Sequence, residues 1–286
     1  MPRVVPVLEI GGTHATAALV DLSTWAVSGE HRVDVDGQAT AADILDAFAA
    51  AGQTLTVGAD AAWGVAMPDP FDYARGIGHF QGVGKFESLD GVDVRAALGT
   101  RLPGDHFVFC NDADAFTLGE WLAGAGRGYG RVTGLTLGTG VGSGWVDAGE
   151  VADPVVPSNG RAHHLWIDGG PLEDTVSRRA IRAAYASATG DADSDVREIA
   201  DRARDDDPAA VAVLAHAFRS LGRALGTPIR DFGAEVVVIG GSMAGSWALL
   251  EPWFREGAAD VRLPPLRVAA RPDSAPLVGA AYVAAR

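Results

Sequence analysis

The chain opens on an apolar run, Val4 to Ile10, interrupted only by Pro6 and Glu9, which reads as a buried strand. A second run at 16–21 closes at Asp21 and reads as its hairpin partner. Residues 31–36 read as a third, edge-like strand. From Ala41 to Ala51 the composition is helical, with Ile44, Leu45 and Phe48 on one stripe. Thr54–Val57 and Ala61–Ala66 are short apolar runs, and the second ends in the irregular turn Met67-Pro68-Asp69-Pro70. Phe71 to Leu89 mixes glycine and aromatics without a period, which predicts a structured loop. Val92–Leu98 reads as a short helix, Phe107–Cys110 as a strand ending at Asn111-Asp112, and 113–123 as the helix that follows. After a glycine-rich connection at 124–131, Thr133–Leu137 and Gly144–Val146 form a second hairpin. Helical composition returns at 175–188, 196–203 and 208–225, where Pro208 behind three aspartates is a favourable start. Val236–Ile239 is a strand running into Gly240-Gly241-Ser242, and a small-residue helix spans 277–285. Strands that alternate with helices give the α/β class.

Two hairpins carry glycine-rich turns, Gly11-Gly12-Thr13 and Gly138-Thr139-Gly140. Glycine lets backbone N–H donors approach a phosphate without a Cβ in the way, although ordinary hairpin turns use glycine too. The strand, turn and hairpin at the start are echoed at 133–146, a weak internal duplication. Together they suggest two similar lobes, with a nucleotide triphosphate gripped from two sides of one cleft.

Composition narrows the classes. With 286 residues and 48% hydrophobic content, the chain can build a sizeable core. No apolar run approaches the roughly 18 residues of a membrane span. The N-terminus enters a strand with no secretion signal, and the single cysteine, Cys110, permits no internal disulfide. A cytoplasmic location is the expectation. A net charge of −14 argues against nucleic acid and membrane partners. No helix-turn-helix precedes the first strand.

In order along the chain, Leu8-Glu9-Ile10-Gly11-Gly12-Thr13, Asn111-Asp112-Ala113-Asp114, Leu137-Gly138-Thr139-Gly140-Val141-Gly142 and Ile239-Gly240-Gly241-Ser242 resemble the ROK family of repressors and sugar kinases. The resemblance covers nearly the whole chain. It implies the actin-like ATPase (ribonuclease H-like) fold, with two lobes around a central cleft: 1–112 plus 274–286 as the small lobe and 113–273 as the large one. It implies an ATP- and Mg2+-dependent kinase of a hexose or hexose-like polyol, and dimers are common in the family, so a homodimer is expected. Asp112 ends a strand and begins a helix, so it is either a helix cap or a carboxylate that takes a proton from an acceptor hydroxyl; the resemblance implies the general base. On the same ground Gly11, Gly12, Thr13, Gly138, Thr139 and Gly140 hold phosphates, and Gly240, Gly241 and Ser242 lie near the adenosine. Gly64, Asn111, His164 and Glu173 contact the sugar, with Asp112.

This chain also departs from the family. Glu9 stands where aspartate is usual, and the longer acid can still reach a hydrated magnesium. Asp69 replaces a glycine. Across 160–177 the cysteine zinc motif is missing, Arg161 falls where a sugar-binding glutamate is usual, and only His163 and His164 remain as zinc-type ligands, so no zinc is expected. Lys85 either meets a substrate anion or reaches solvent. These departures keep two alternatives open: a kinase of an aminosugar, ketose or cyclitol, or a non-catalytic sugar-binding sensor.

Overall fold

The computed structural model describes residues 4–104, 106–152 and 161–286. The chain forms two compact units, Met1–Ala123 with Asp273–Arg286, and Gly124–Pro272.

The first unit begins with β1 (Val4–Ile10), β2 (His14–Asp21), β3 (Ala26–Asp34) and α1 (Ala41–Gly52). It continues through β4 (Ala62–Met67), the short β5 (Phe71–Asp72) and β6 (Ile77–Gly78), α2 (Val94–Gly99), β7 (His106–Asn111) and α3 (Asp112–Ala123). Its main sheet has the order β3-β2-β1-β4-β7. β1 pairs antiparallel with β2 and parallel with β4, and β4 pairs parallel with β7. In α1 the stripe Ile44, Leu45 and Phe48 is buried, and the Thr40 hydroxyl accepts from the Asp43 N–H at the helix start.

Two expectations change here. The third strand covers 26–34 rather than 31–36, because its exposed positions are polar and mask the alternation. The 71–89 segment is structured, but its aromatics build core: Phe71, Phe80 and Phe86 are buried among Phe48 and Phe109.

The second unit contains β8 (Arg131–Leu137), β9 (Val141–Asp147), β10 (Glu150–Val151), β11 (Trp166–Ile167), β12 (Gly170–Pro171), α4 (Glu173–Val176) and α5 (Arg178–Thr189). It closes with α6 (Val196–Arg204), α7 (Pro208–Phe232), β13 (Val236–Gly240), α8 (Trp247–Gly257) and β14 (Leu266–Val268). Its sheet order is β10-β9-β8-β13-β14. The helix expected at 175–188 is interrupted at Ser177, whose hydroxyl caps α5 by accepting from the Ala180 N–H. Helix α7 continues past the predicted end at 225, through Pro228, because Ile229 and Phe232 are still core residues; it stops at Gly233 in the left-handed conformation. The Asp207 carboxylate caps its start by accepting from the Ala210 N–H at 2.8 Å.

The two sheets repeat one plan. In each, a hairpin's first strand (β1, β8) lies between its antiparallel partner and a parallel strand (β4, β13), and a second parallel strand follows. The hairpins both close on their glycine turns: the register ends at Ile10↔Ala15 in one, with four residues between, and at Leu137↔Val141 in the other, with three. The duplication is therefore present in the topology of the main sheets.

After the second unit, the chain returns to the first as α9 (Ala275–Ala284). Helices α3 and α9 cross with their backbones in close approach. A methyl group on Gly279 would overlap the Ala115 carbonyl, and one on Gly119 would overlap the Ala275 carbonyl. This packing holds α3 to the first unit. It moves the boundary expected at 112/113 to 123/124 and the return point from 274 to 273.

Candidate functional site

Strand β7 ends at Asn111 and α3 begins at the next residue, so Asp112 occupies the helix N-terminus. The Asn111 amide oxygen accepts from the N–H groups of Ala113 at 3.0 Å and Asp114 at 3.2 Å. Asn111 is therefore the capping residue, and Asp112 is not needed for that task. The Asn111 amide nitrogen donates to Asp69 Oδ2 at 3.0 Å and to the Tyr73 hydroxyl at 3.1 Å. The Tyr73 hydroxyl donates to Asp69 Oδ1 at 2.8 Å. An amide offers two N–H groups and two lone pairs, and all four are engaged within the protein. Asn111, expected to meet a sugar hydroxyl, is buried and orients its neighbours through these bonds.

The half-buried Asp112 carboxylate accepts from the Ala113 N–H at 2.8 Å. Burial is the main cause that pushes its pKa up to about 6. Lys85 and the Ala113 N–H pull in the other direction, while Asp69 and Glu9 push upward. The segment carrying Lys85 is tied down by Phe86 N–H donating to the Gly37 carbonyl at 2.8 Å and by Gln38 donating to the Gly84 carbonyl. Lys85 is thereby held close enough to the Asp112 carboxylate to lower its proton affinity, a position outside the two readings made from the sequence. Burial, then Asp69, raises the Tyr73 hydroxyl pKa, so this phenol stays protonated.

Glu9 lies at the end of β1, with Oε2 3.5 Å from His14 Nε2. The His14 ring packs over Gly11, where a Cβ would come within 2.7 Å of it. The Gly11 N–H donates to the His14 carbonyl at 2.8 Å and closes the first turn. At Gly12 a Cβ would meet nothing within 4 Å, so that position is open. Thr13 is exposed beside it. Gly64 was expected near the sugar. It is a buried ladder residue of β4, and a side chain there would overlap the Ala280 carbonyl of α9. Its missing side chain serves helix–sheet packing, and its strand backbone lies inside the sheet.

In the second unit, the Gly138 N–H donates to the Gly140 carbonyl at 3.0 Å, and the Gly138 carbonyl accepts from the Arg178 N–H at 2.8 Å. Glu173, at the start of α4, accepts through Oε2 from the Val141 N–H at 3.2 Å. The partner of this carboxylate in the structure is thus the glycine turn, where a sugar contact was expected. Gly241 has φ 78° and turns β13 sharply toward Ser242. Ser242 Oγ faces Gly138, at 3.3 Å from where its Cβ would be, so the third glycine motif meets the second turn. Gly240 is the last residue of β13, paired with Thr136. A groove of about 540 Å³ opens there, lined by Ser242, Met243, Ser246, Arg178, Arg197 and Arg204 among others.

The segment that departs from the family begins at Gly160, which lies outside the described residues. Arg161 is buried, and a short turn at Ala162–His164 follows it. The Ala162 N–H donates to Ser143 Oγ at 2.8 Å, which ties this turn to β9. His164 is exposed and packs edge-on against His163, with ring centroids 4.1 Å apart. Among the described residues, no three His, Cys, Asp or Glu side chains converge on one metal position. Asp69 and Tyr73 were not identified from the sequence as site residues. The one available signal was an acid at 69 where the family has glycine.

A profile of the ROK family matches residues 6–286. The glucokinase of Thermotoga maritima is 30% identical over 250 residues, 77% of this chain and 78% of that protein. The crystal structure of the ROK hexokinase from Thermus thermophilus superposes with a TM-score of 0.81 at 26% identity, covering 98% of this chain and 97% of that one. The ROK glucokinase from Streptomyces griseus, solved with glucose and AMPPNP, has the same fold: TM-score 0.79, 23% identity and 98% of both chains. With matches over nearly its full length and a duplicated sheet plan, this chain belongs to the ROK family and has its actin-like fold.

Proposed function

We infer that the chain is an ATP-dependent sugar kinase that phosphorylates a hexose hydroxyl. The observation that supports this best is the half-buried Asp112 carboxylate, freed from helix capping by Asn111 and raised to about 6. At neutral pH such a group is largely ionised, yet it is a stronger base than an ordinary carboxylate. In this reading the acceptor oxygen attacks the γ-phosphorus, its proton passes to Asp112, and the bond from phosphorus to the ADP oxygen breaks. The N–H groups of the turns at 11–13 and 138–140, with the Thr13 and Thr139 hydroxyls, hold the phosphate oxygens. The groove beside Ser242 and Met243 takes the base and ribose. His164 and Glu173 are assigned to the sugar side, with Glu173 also bracing its turn.

Magnesium fits the donor chemistry here. Glu9 offers carboxylate oxygens, and Mg2+ is commonly held by one or two carboxylates, phosphate oxygens and water. When bound, the ion neutralises charge on the β- and γ-phosphate oxygens. Glu9 would hold it through water.

The test is ADP release by the purified protein with ATP and Mg2+ against glucose, mannose, hexosamines, ketoses and cyclitols. Sugar-dependent ADP formation is expected for at least one hexose. Binding of a sugar without turnover of any acceptor would instead make the chain a sensor.

A further inference from the structure

Asp69 is absent from the reaction just described, yet it sits at the centre of the hydrogen bonds around Asn111. We propose that Asp69 is a positioning residue for Asp112: its carboxylate fixes Asn111 and Tyr73, and through Asn111 it fixes the first turn of α3. This rests on the reading of Asp112 as the base.

Strand register explains how Asp69 comes to this place. Met67 at the end of β4 pairs with Asn111 at the end of β7, so the turn after β4 runs beside the junction that carries Asp112. Asp69 Oδ2 then takes an N–H of Asn111, and Oδ1 takes the Tyr73 hydroxyl, which is itself bonded to Asn111. The two ends of an asparagine amide are nearly alike in shape, so the surrounding partners choose its orientation. Here the Ala113 and Asp114 N–H groups require an acceptor on one side, while the Asp69 carboxylate requires a donor on the other. One orientation satisfies both. A glycine at 69 would leave the donor side without this carboxylate. The Ala113 N–H is shared by Asn111 Oδ1 and Asp112 Oδ1, so a shift of Asn111 reaches Asp112 directly.

Charge acts in the same direction. Asp69 raises the proton affinity of Asp112, as does Glu9 from β1, while Lys85 lowers it. The other titratable neighbours, Tyr73 and Cys110, are pushed upward mainly by burial and stay neutral.

The experiment compares Asp69→Asn, Asp69→Gly and Tyr73→Phe with the wild type in kcat, KM for ATP and the pH profile of kcat. Asp69→Asn keeps the shape and removes the charge. Its kcat should fall on the order of tenfold with KM for ATP unchanged, since small misplacements of a reacting group cost this much or more. Its acid limb should move to lower pH, because one negative neighbour of the base is gone. Asp69→Gly should lose more, and Tyr73→Phe should lose kcat without moving the limb. If Asp69→Gly fails to fold, the isosteric Asn variant decides alone. An unchanged kcat, or an acid limb that stays in place, overturns the proposal. Asp112→Asn separates the two levels: retained turnover there overturns the kinase base along with this inference, whereas its loss beside silent Asp69 variants overturns this inference only.

Discussion

The hairpins β1–β2 and β8–β9 have corresponding neighbours in their sheets and both close on glycine turns, but they are finished differently. The first is bordered by side-chain chemistry: Glu9 against His14 at its base, with Asp69 and Lys85 close enough to shift the proton affinity of Asp112 in opposite directions. The second is bordered by structural bracing, with the Glu173 carboxylate on the Val141 N–H and the Arg178 N–H on the Gly138 carbonyl. One scaffold thus serves two tasks. Around the first hairpin, acids are half-buried near a cation; around the second, the backbone is pinned by the Glu173 carboxylate and the Arg178 N–H.

The sharpest way to break this contrast is Asp112→Asn. Loss of a general base should lower kcat by about 10²–10⁴-fold in steady-state assays. Stability should move the opposite way. A carboxylate with a raised pKa is stabilising below its unfolded value of 3.8, and that contribution is lost as pH rises through about 6. The Asn variant should therefore melt above the wild type at pH 7–8, and the gap should narrow towards pH 4. Gly279→Ala comes next: it would drive a methyl group into the Ala115 carbonyl and separate α3 from α9, at a cost of about 3 kcal/mol or more in denaturant unfolding.

The turns themselves should respond unequally. In Gly140→Ala the new methyl would lie 2.8 Å from Glu173 Oε2 and should destabilise by about 1–3 kcal/mol, with a raised KM for ATP. Adding it to Glu173→Ala should cost little more than Glu173→Ala alone, because the clash has gone. Gly12→Ala has open space and should leave the melting temperature unchanged, so any effect on KM belongs to the ligand. The smallest effect concerns the helix caps. Asp207→Ala, which loses a 2.8 Å bond in the second unit, should cost about 1 kcal/mol by denaturant titration. Thr40→Ala, whose bond in the first unit is 3.3 Å, should cost less.

The hairpins, the glycine turns and the Asn111–Asp112 junction were legible because each is a local pattern. Strand β3 was misplaced because an exposed edge strand carries polar residues at most positions. Helix α8 was missed although Trp247, Leu250 and Phe254 fall at helical spacing, since Pro252 interrupts the run. Asp69 and Tyr73 lie 42 and 38 positions before Asn111, so their role depends on the pairing of β4 with β7. Gly64 stood out by its motif, but its packing neighbour, Ala280, lies in a helix from the far end of the sequence.

That helix has a consequence for biosynthesis. The ribosome delivers everything from Gly124 to Pro272 before α9 exists, so the second unit is a continuous stretch that can mature while translation proceeds. The earlier-made unit has to wait: Val5, Val7, Ala66 and Ala115 gain Leu277, Val278 and Ala281 as core partners only when the last segment emerges. The half of the enzyme that is made first is therefore finished last.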